Sequence, residues 1–163
     1  MMKGFYYPHR NAKNPINNAD IIYTPDVTVF KTDTNKPKLM DEKDWYEVDV
    51  ITCAAPNLRE RPSNRFNQGN GDRAVKVSDR ELLEIHKQRL TRILDVAVLN
   101  GDEAVILGAF GCGAFQNKPE VVARAAKEVI ADYLYAFKTI EFAVYCPPRD
   151  DTNFKVFKWV MGA

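Results

Sequence analysis

Apolar positions change period several times along the chain, and each change marks an element. Ile21 to Tyr23 and Val27 to Phe30 bracket Thr24-Pro25-Asp26. Proline has no amide to give a ladder, so this stretch predicts an extended edge strand with a turn or kink at its centre. Val48 to Ala55 (VDVITCAA) is a short β-branched run stopped by Pro56-Asn57, and it predicts a buried strand. Leu82, Leu83, Ile85, Leu90, Ile93, Leu94 and Ala97 then recur at helical spacing. Ser78 with Glu81 supplies a capping box at the start of that helix, and Asn100-Gly101 supplies the left-handed stop. Ala104 to Leu107 predicts a second buried strand. A helix follows from about Lys118 to Tyr133 with Pro119 in its first turn, then a third, parallel-type strand over Thr139 to Cys146. Pro147-Pro148 breaks that strand, and Asn153 to Met161 reads as a short closing helix.

Strands alternating with helices predict an α/β domain, a parallel sheet covered by helices. Three segments fall outside the alternation. Residues 1–20 form an irregular arm anchored by Phe5, Tyr6 and Tyr7, and Thr32 to Asp44 is a polar loop. Leu58 to Val77 is long, polar and rich in arginine, and loops of that length in a compact domain are mobile or functional.

Composition narrows the partners. At 163 residues the chain suits one domain with one core. Its 23 basic and 22 acidic residues leave a net charge of +1, with no electrostatic footprint for duplex nucleic acid or an anionic membrane. A small anion held by backbone amides needs only local geometry and stays open. Cys53, Cys112 and Cys146 are far apart and form no C-x-x-C pair, which argues against a zinc cage or a disulfide framework. No metal and no cofactor is expected. Reduced thiols suit a cytoplasmic protein. MMKGFYYPHRN lacks the apolar core of a signal peptide, and no apolar stretch approaches the roughly 20 residues of a membrane helix.

Open parallel sheets bind ligands where strands lead into helices at their carboxyl ends. Two such places stand out: Thr52 to Asn57, and Gly108 to Asn117 (GAFGCGAFQN), which runs into a helix. Glycines let amides turn inward without a Cβ in the way, and a helix N-terminus adds partial positive charge, so the second place suits a phosphate or diphosphate. It is neither a Walker loop nor a G-x-G-x-x-G fingerprint. The alternative is that the glycines only let strand and helix pack closely.

ITCAAPN (Ile51 to Asn57), AVILGAFGCGAFQNKPEVVA (Ala104 to Ala123) and EFAVYCPPRDDTNF (Glu141 to Phe154), preceded by IIYTPDVTVFK (Ile21 to Lys31), resemble the microbial-type poly(ADP-ribose) glycohydrolase family of the macrodomain superfamily. The resemblance implies a macrodomain-like three-layer α/β/α fold with a mainly parallel sheet. It implies a diphosphate loop at Gly111, Cys112, Gly113 and Ala114, with Phe115 against the ribose distal to the adenine. Residues from Tyr145 to Asn153 would border the adenine, and Thr52 to Asn57 would line the opposite wall. The family carries Gly-Gly-Gly followed by Gln-Glu-Glu, whose second glutamate is the general acid, and this sequence holds neither. The match begins downstream of that loop, which implies an N-terminally truncated fold lacking two strands, and catalytic residues that are unknown.

Cys112 at a helix N-terminus is expected to have a lowered pKa, yet a cysteine hydrolase needs a base, and only His9 and His86 exist. His86 is expected to face solvent. Asp41, Glu42, Asp44, Asp150 and Asp151 read as solvated surface, with Asp150 or Asp151 a lesser candidate for contacting adenine or ribose. Arg59, Arg61 and Arg65 either float in a mobile loop or fold over a bound phosphate. Three functional readings follow. The first is a module that binds ADP-ribose or an ADP-ribosylated protein with weak or absent hydrolysis. The second is a glycohydrolase whose acid comes from another residue or a partner chain. The third is a non-binding interaction homologue, with a homo-oligomer or a partner chain completing the sheet.

Overall fold

The computed structural model describes residues 13–63 and 71–162; Phe5, Tyr6, Tyr7, His9 and Arg65 lie outside the described residues. Among the described residues, four strands and three α-helices follow one another: β1 (Ile21–Val29), β2 (Tyr46–Cys53), α1 (Asp79–Asn100), β3 (Ala104–Leu107), α2 (Pro119–Ile130), β4 (Thr139–Phe142) and α3 (Thr152–Met161). This is a mixed α/β chain, as the alternation predicted.

The strands form two ladders. β1 pairs antiparallel with β2, from Ile21 opposite Cys53 to Val29 opposite Tyr46, and β3 pairs in parallel with β4. The kink at Thr24-Pro25-Asp26 is a bulge inside one continuous strand, with Asp26 at φ 56°. Asp49 accepts the Asp26 amide at 2.8 Å, which satisfies the donor that the bulge turns out of the ladder.

Three expectations about the strands need correction. β2 is not buried: its residues from Tyr46 to Val50 are all exposed, and only Ile51 and Cys53 pack against the core. Its sole strand partner among the described residues is β1, antiparallel, so the run is an outer strand rather than a parallel core strand. β3 is buried on one face only, through Val105 and Leu107, while Ile106 on the other face is 71% exposed. β4 is also shorter than Thr139 to Cys146, although the Ala143 amide still donates to Leu107 O at 2.8 Å.

The helices follow their end signals. Ser78 Oγ accepts the Glu81 amide while the Glu81 carboxylate accepts the Ser78 amide, and Gly101 closes α1 in the left-handed region. The main core joins Leu90, Ile93, Leu94 and Ala97 of α1 to Val105 and Leu107 of β3 and to Ala125, Ala126 and Val129 of α2. A second cluster sets Val122 and Ala123 of α2 against Phe157 of α3, next to Phe110, Cys112 and Phe142. These helices therefore anchor the two ends of the glycine-rich turn that leaves β3. Among the described residues, no helix is long and apolar enough to cross a membrane.

Candidate functional site

The turn between β3 and α2 leaves the carboxyl end of its strand, as predicted. Asn117 organises it from the inside. The Asn117 side-chain nitrogen donates to Pro56 O at 2.7 Å and Gly111 O at 3.0 Å, with Phe115 O at 3.3 Å. Its side-chain oxygen lies 2.9 Å from His86 Nε2. The Asn117 amide closes back onto Gly111 O at 3.1 Å, and the Gln116 amide onto Gly113 O at 3.0 Å. Gln116 adopts φ 57°, which turns the chain so that Asn117 points inward.

Gly111 is required twice over. Its φ of 78° favours glycine, and a Cβ there would come within 2.7 Å of both Ala55 Cβ and the Asn117 side-chain nitrogen. Gly113 is the opposite case, with open space around the place a Cβ would occupy. Among the described residues, the Gly113 and Ala114 amides donate to no protein acceptor, and both residues are exposed. The loop is thus braced underneath and bare at its tip.

The Thr52 to Asn57 segment makes the wall beneath this loop. Leu58 N donates to Phe115 O at 2.9 Å, and Asn57 N donates to Pro15 O at 2.7 Å. Asn57 is fully buried; its side chain donates to Pro62 O at 3.0 Å and accepts from Arg59 Nε at 3.1 Å. Arg59 in turn sits over the Phe115 ring, 5.6 Å from its centroid, so among the described loop arginines this one folds onto the site. Thr52 lies within β2 opposite Ile22 and is exposed.

Two residues behave otherwise than expected. His86 is completely buried, with its ring edge-on to Phe110 at 5.6 Å. Burial holds its pKa below the ordinary value, Arg89 adds to that, and the Asn117 bond opposes it. Cys112 lies well before the first turn of α2 rather than in it, and burial together with Glu120 pushes its thiol up to about 12. It is a neutral, partly buried packing residue rather than a nucleophile. Beyond the loop, Tyr145 is 80% exposed, Asn153 is half-buried at the start of α3, and Asp150 accepts the Thr152 amide at 3.0 Å. No group of three or more His, Cys, Asp or Glu side chains that could hold a metal occurs among the described residues.

The whole fold is similar to solved structures. The chain superposes on poly(ADP-ribose) glycohydrolase from Deinococcus radiodurans in complex with ADP-ribose, with a TM-score of 0.78, 26% identity, and coverage of 98% of this chain and 59% of that one. The chain is similar to the microbial poly(ADP-ribose) glycohydrolases over nearly its whole length. The Thermomonospora curvata glycohydrolase bound to the inhibitor ADP-HPD agrees, with a TM-score of 0.79, 26% identity, and coverage of 97% and 55%. The chain therefore spans less than two thirds of the length of these glycohydrolases. No protein-family model and no curated protein matches it.

The glycohydrolase-like fold also rests on a residue that sequence reading missed. Arg89 is 2% exposed, and its guanidinium donates to Ala54 O at 2.8 Å and Ile16 O at 2.6 Å. It ties α1 to the end of β2 directly under the candidate site. Its signal was present in the spacing, since Leu82, His86, Arg89, Ile93 and Ala97 recur on one helical stripe.

Proposed function

We propose that the chain binds ADP-ribose or an ADP-ribosylated protein in the cytoplasm, with the diphosphate on the amides at the Gly111 to Phe115 tip. The observation that carries this reading is a loop fixed from below by Asn117 and Gly111 while Gly113 and Ala114 present unpaired amides above. Preorganised donors bind an anion without a further ordering cost. Phe115, with Arg59 over its ring, offers an aromatic and cationic flank for a ribose phosphate. Support comes from similar proteins that hold ADP-ribose or ADP-HPD.

Hydrolysis by this chain alone is weak or absent in this reading. Glycosidic cleavage needs a carboxyl group at the scissile bond. Among the described residues, the hydrogen-bond and ring partners of the Gly111 to Asn117 loop are Ala109, Phe110, Pro56, Leu58, His86 and Arg59, none of them acidic. Thermal melting with and without ADP-ribose, beside an assay for ADP-ribose released from poly(ADP-ribose), separates the alternatives. A raised melting temperature without release is expected. Release by the chain alone would establish the enzyme reading, and an unchanged melting temperature would leave only an interaction homologue.

A further inference from the structure

The hydrogen bonds beneath the loop tip all run in one direction. Pro56 O and Gly111 O take the Asn117 side-chain nitrogen, so the Asn117 oxygen accepts from His86 Nε2, 2.9 Å away. The nitrogen of that same side-chain amide also donates to Phe115 O at 3.3 Å, the longest link. Phe115 O shares a peptide unit with the Gln116 amide, which donates to Gly113 O at 3.0 Å. Gly113 O shares a peptide unit with the Ala114 amide, which donates to no protein acceptor among the described residues and belongs to an exposed residue. From ring to tip, each amide accepts on its oxygen and donates from its nitrogen. An amide that accepts a stronger bond becomes a better donor, so polarisation passes along such a chain. A charged imidazole donates more strongly than a neutral one.

The inner end of this relay is a titratable group kept from charging. His86 is fully buried, and its Nδ1 has no partner among the described residues. Burial holds its pKa below the ordinary value; the Asn117 bond opposes that, and Arg89, one turn on along α1, adds to it. Asn117 and Phe110, which meet the ring from the loop, carry no charge. Cys112 on the same turn is a neutral thiol, pushed up to about 12.

We propose that the relay couples the loop tip to His86: an anion on the Ala114 amide favours a proton on Nδ1, and the protonated ring strengthens the grip on the anion. The proton comes from solvent, and Nδ1–H is the one covalent bond formed. The two effects are one coupling free energy, so each changes by the same factor. The proposal rests on the ADP-ribose reading for its ligand, and adds that binding takes up a proton.

Imidazole titration by nuclear magnetic resonance, from pH 8 to 5 with and without saturating ADP-ribose, tests it. The chain has two histidines, so His86→Gln identifies the resonance that belongs to His86. The diphosphate and adenine of the ligand titrate below this range. ADP-ribose is expected to raise the His86 midpoint by about one pH unit, which is about tenfold tighter binding by the protonated ring. Calorimetry in two buffers of different ionisation enthalpy is expected to show the matching proton uptake. Adenosine, which lacks the diphosphate, is expected to leave the midpoint in place. ADP-ribose that binds while the His86 midpoint stays or falls would overturn the coupling and leave the ADP-ribose reading standing, as would an equal rise with adenosine. Absence of ADP-ribose binding at every pH would overturn both.

Discussion

His86 Nε2 and the Asn117 side-chain oxygen meet at 2.9 Å in a place where His86 is fully buried and Asn117 is 2% exposed. The chemistry of the neighbours fixes both groups. Pro56 O, Gly111 O and Phe115 O can only accept, so the Asn117 nitrogen must face them and its oxygen must face the ring. His86 therefore donates from Nε2, burial favours its neutral form, and its Nδ1, also buried, has no partner among the described residues. One histidine on α1 thus orients the amide that shapes the loop.

Replacing Asn117 by alanine strands a buried imidazole N–H and removes the donor from the loop carbonyls. A loss of about 3 kcal/mol is expected, read from urea denaturation. His86→Gln, which can still donate to Asn117, is expected to lose less than His86→Leu.

Acid should weaken the same link. The unfolded imidazole titrates near 6.5, and burial holds the folded value lower. Between the two values the unfolded chain binds more protons, so the His86 contribution is complete above about 6.5. It falls as pH drops below that value and goes on falling until the folded imidazole itself titrates. Urea midpoints measured from pH 7.5 to 5 are expected to decline in the wild type and to decline less in His86→Gln. Parallel declines would separate this histidine from the effect.

The two glycines of the loop should respond oppositely to alanine. Gly111→Ala meets both a left-handed backbone and Ala55 Cβ at 2.7 Å, and about 2–4 kcal/mol of destabilisation is expected. Gly113→Ala enters open space and should change stability by no more than about 0.5 kcal/mol. Thermal unfolding of the two variants side by side checks the contrast.

Arg89→Leu keeps the apolar stem but leaves Ala54 O and Ile16 O without their donor. About 2–3 kcal/mol should be lost, with faster amide exchange at Ile16 and its neighbours. Arg89→Lys recovers only part, because a single ammonium lacks the planar fork that reaches both carbonyls.

Much of this fold was legible because local signals and packing agreed. The capping box at Ser78 and Glu81, the stop at Gly101 and Pro119 in the first turn of α2 each act within one turn of helix. β2 misled because VDVITCAA is apolar by residue type, while its alternation sets Val48 and Val50 on one face and Asp49, Ile51 and Cys53 on the other. Burial of that strand depends on neighbours the run itself does not encode. His86 and Arg89 were hidden for a different reason. Their positions on the α1 stripe pointed inward, but polarity outweighed position until the carbonyls of distant segments appeared as partners. The Gly111 to Asn117 turn was visible as a glycine-rich bend at a strand's carboxyl end, whereas the role of Asn117 beneath it needed the fold.

Isothermal titration of the chain with ADP-ribose, run alongside Gly113→Trp, addresses the loop most directly. Saturable one-site heat in the wild type is expected, lost in the variant while its melting temperature stays the same. No heat in the folded wild type, or equal heat in both proteins, would contradict a diphosphate held at the Gly113 and Ala114 amides.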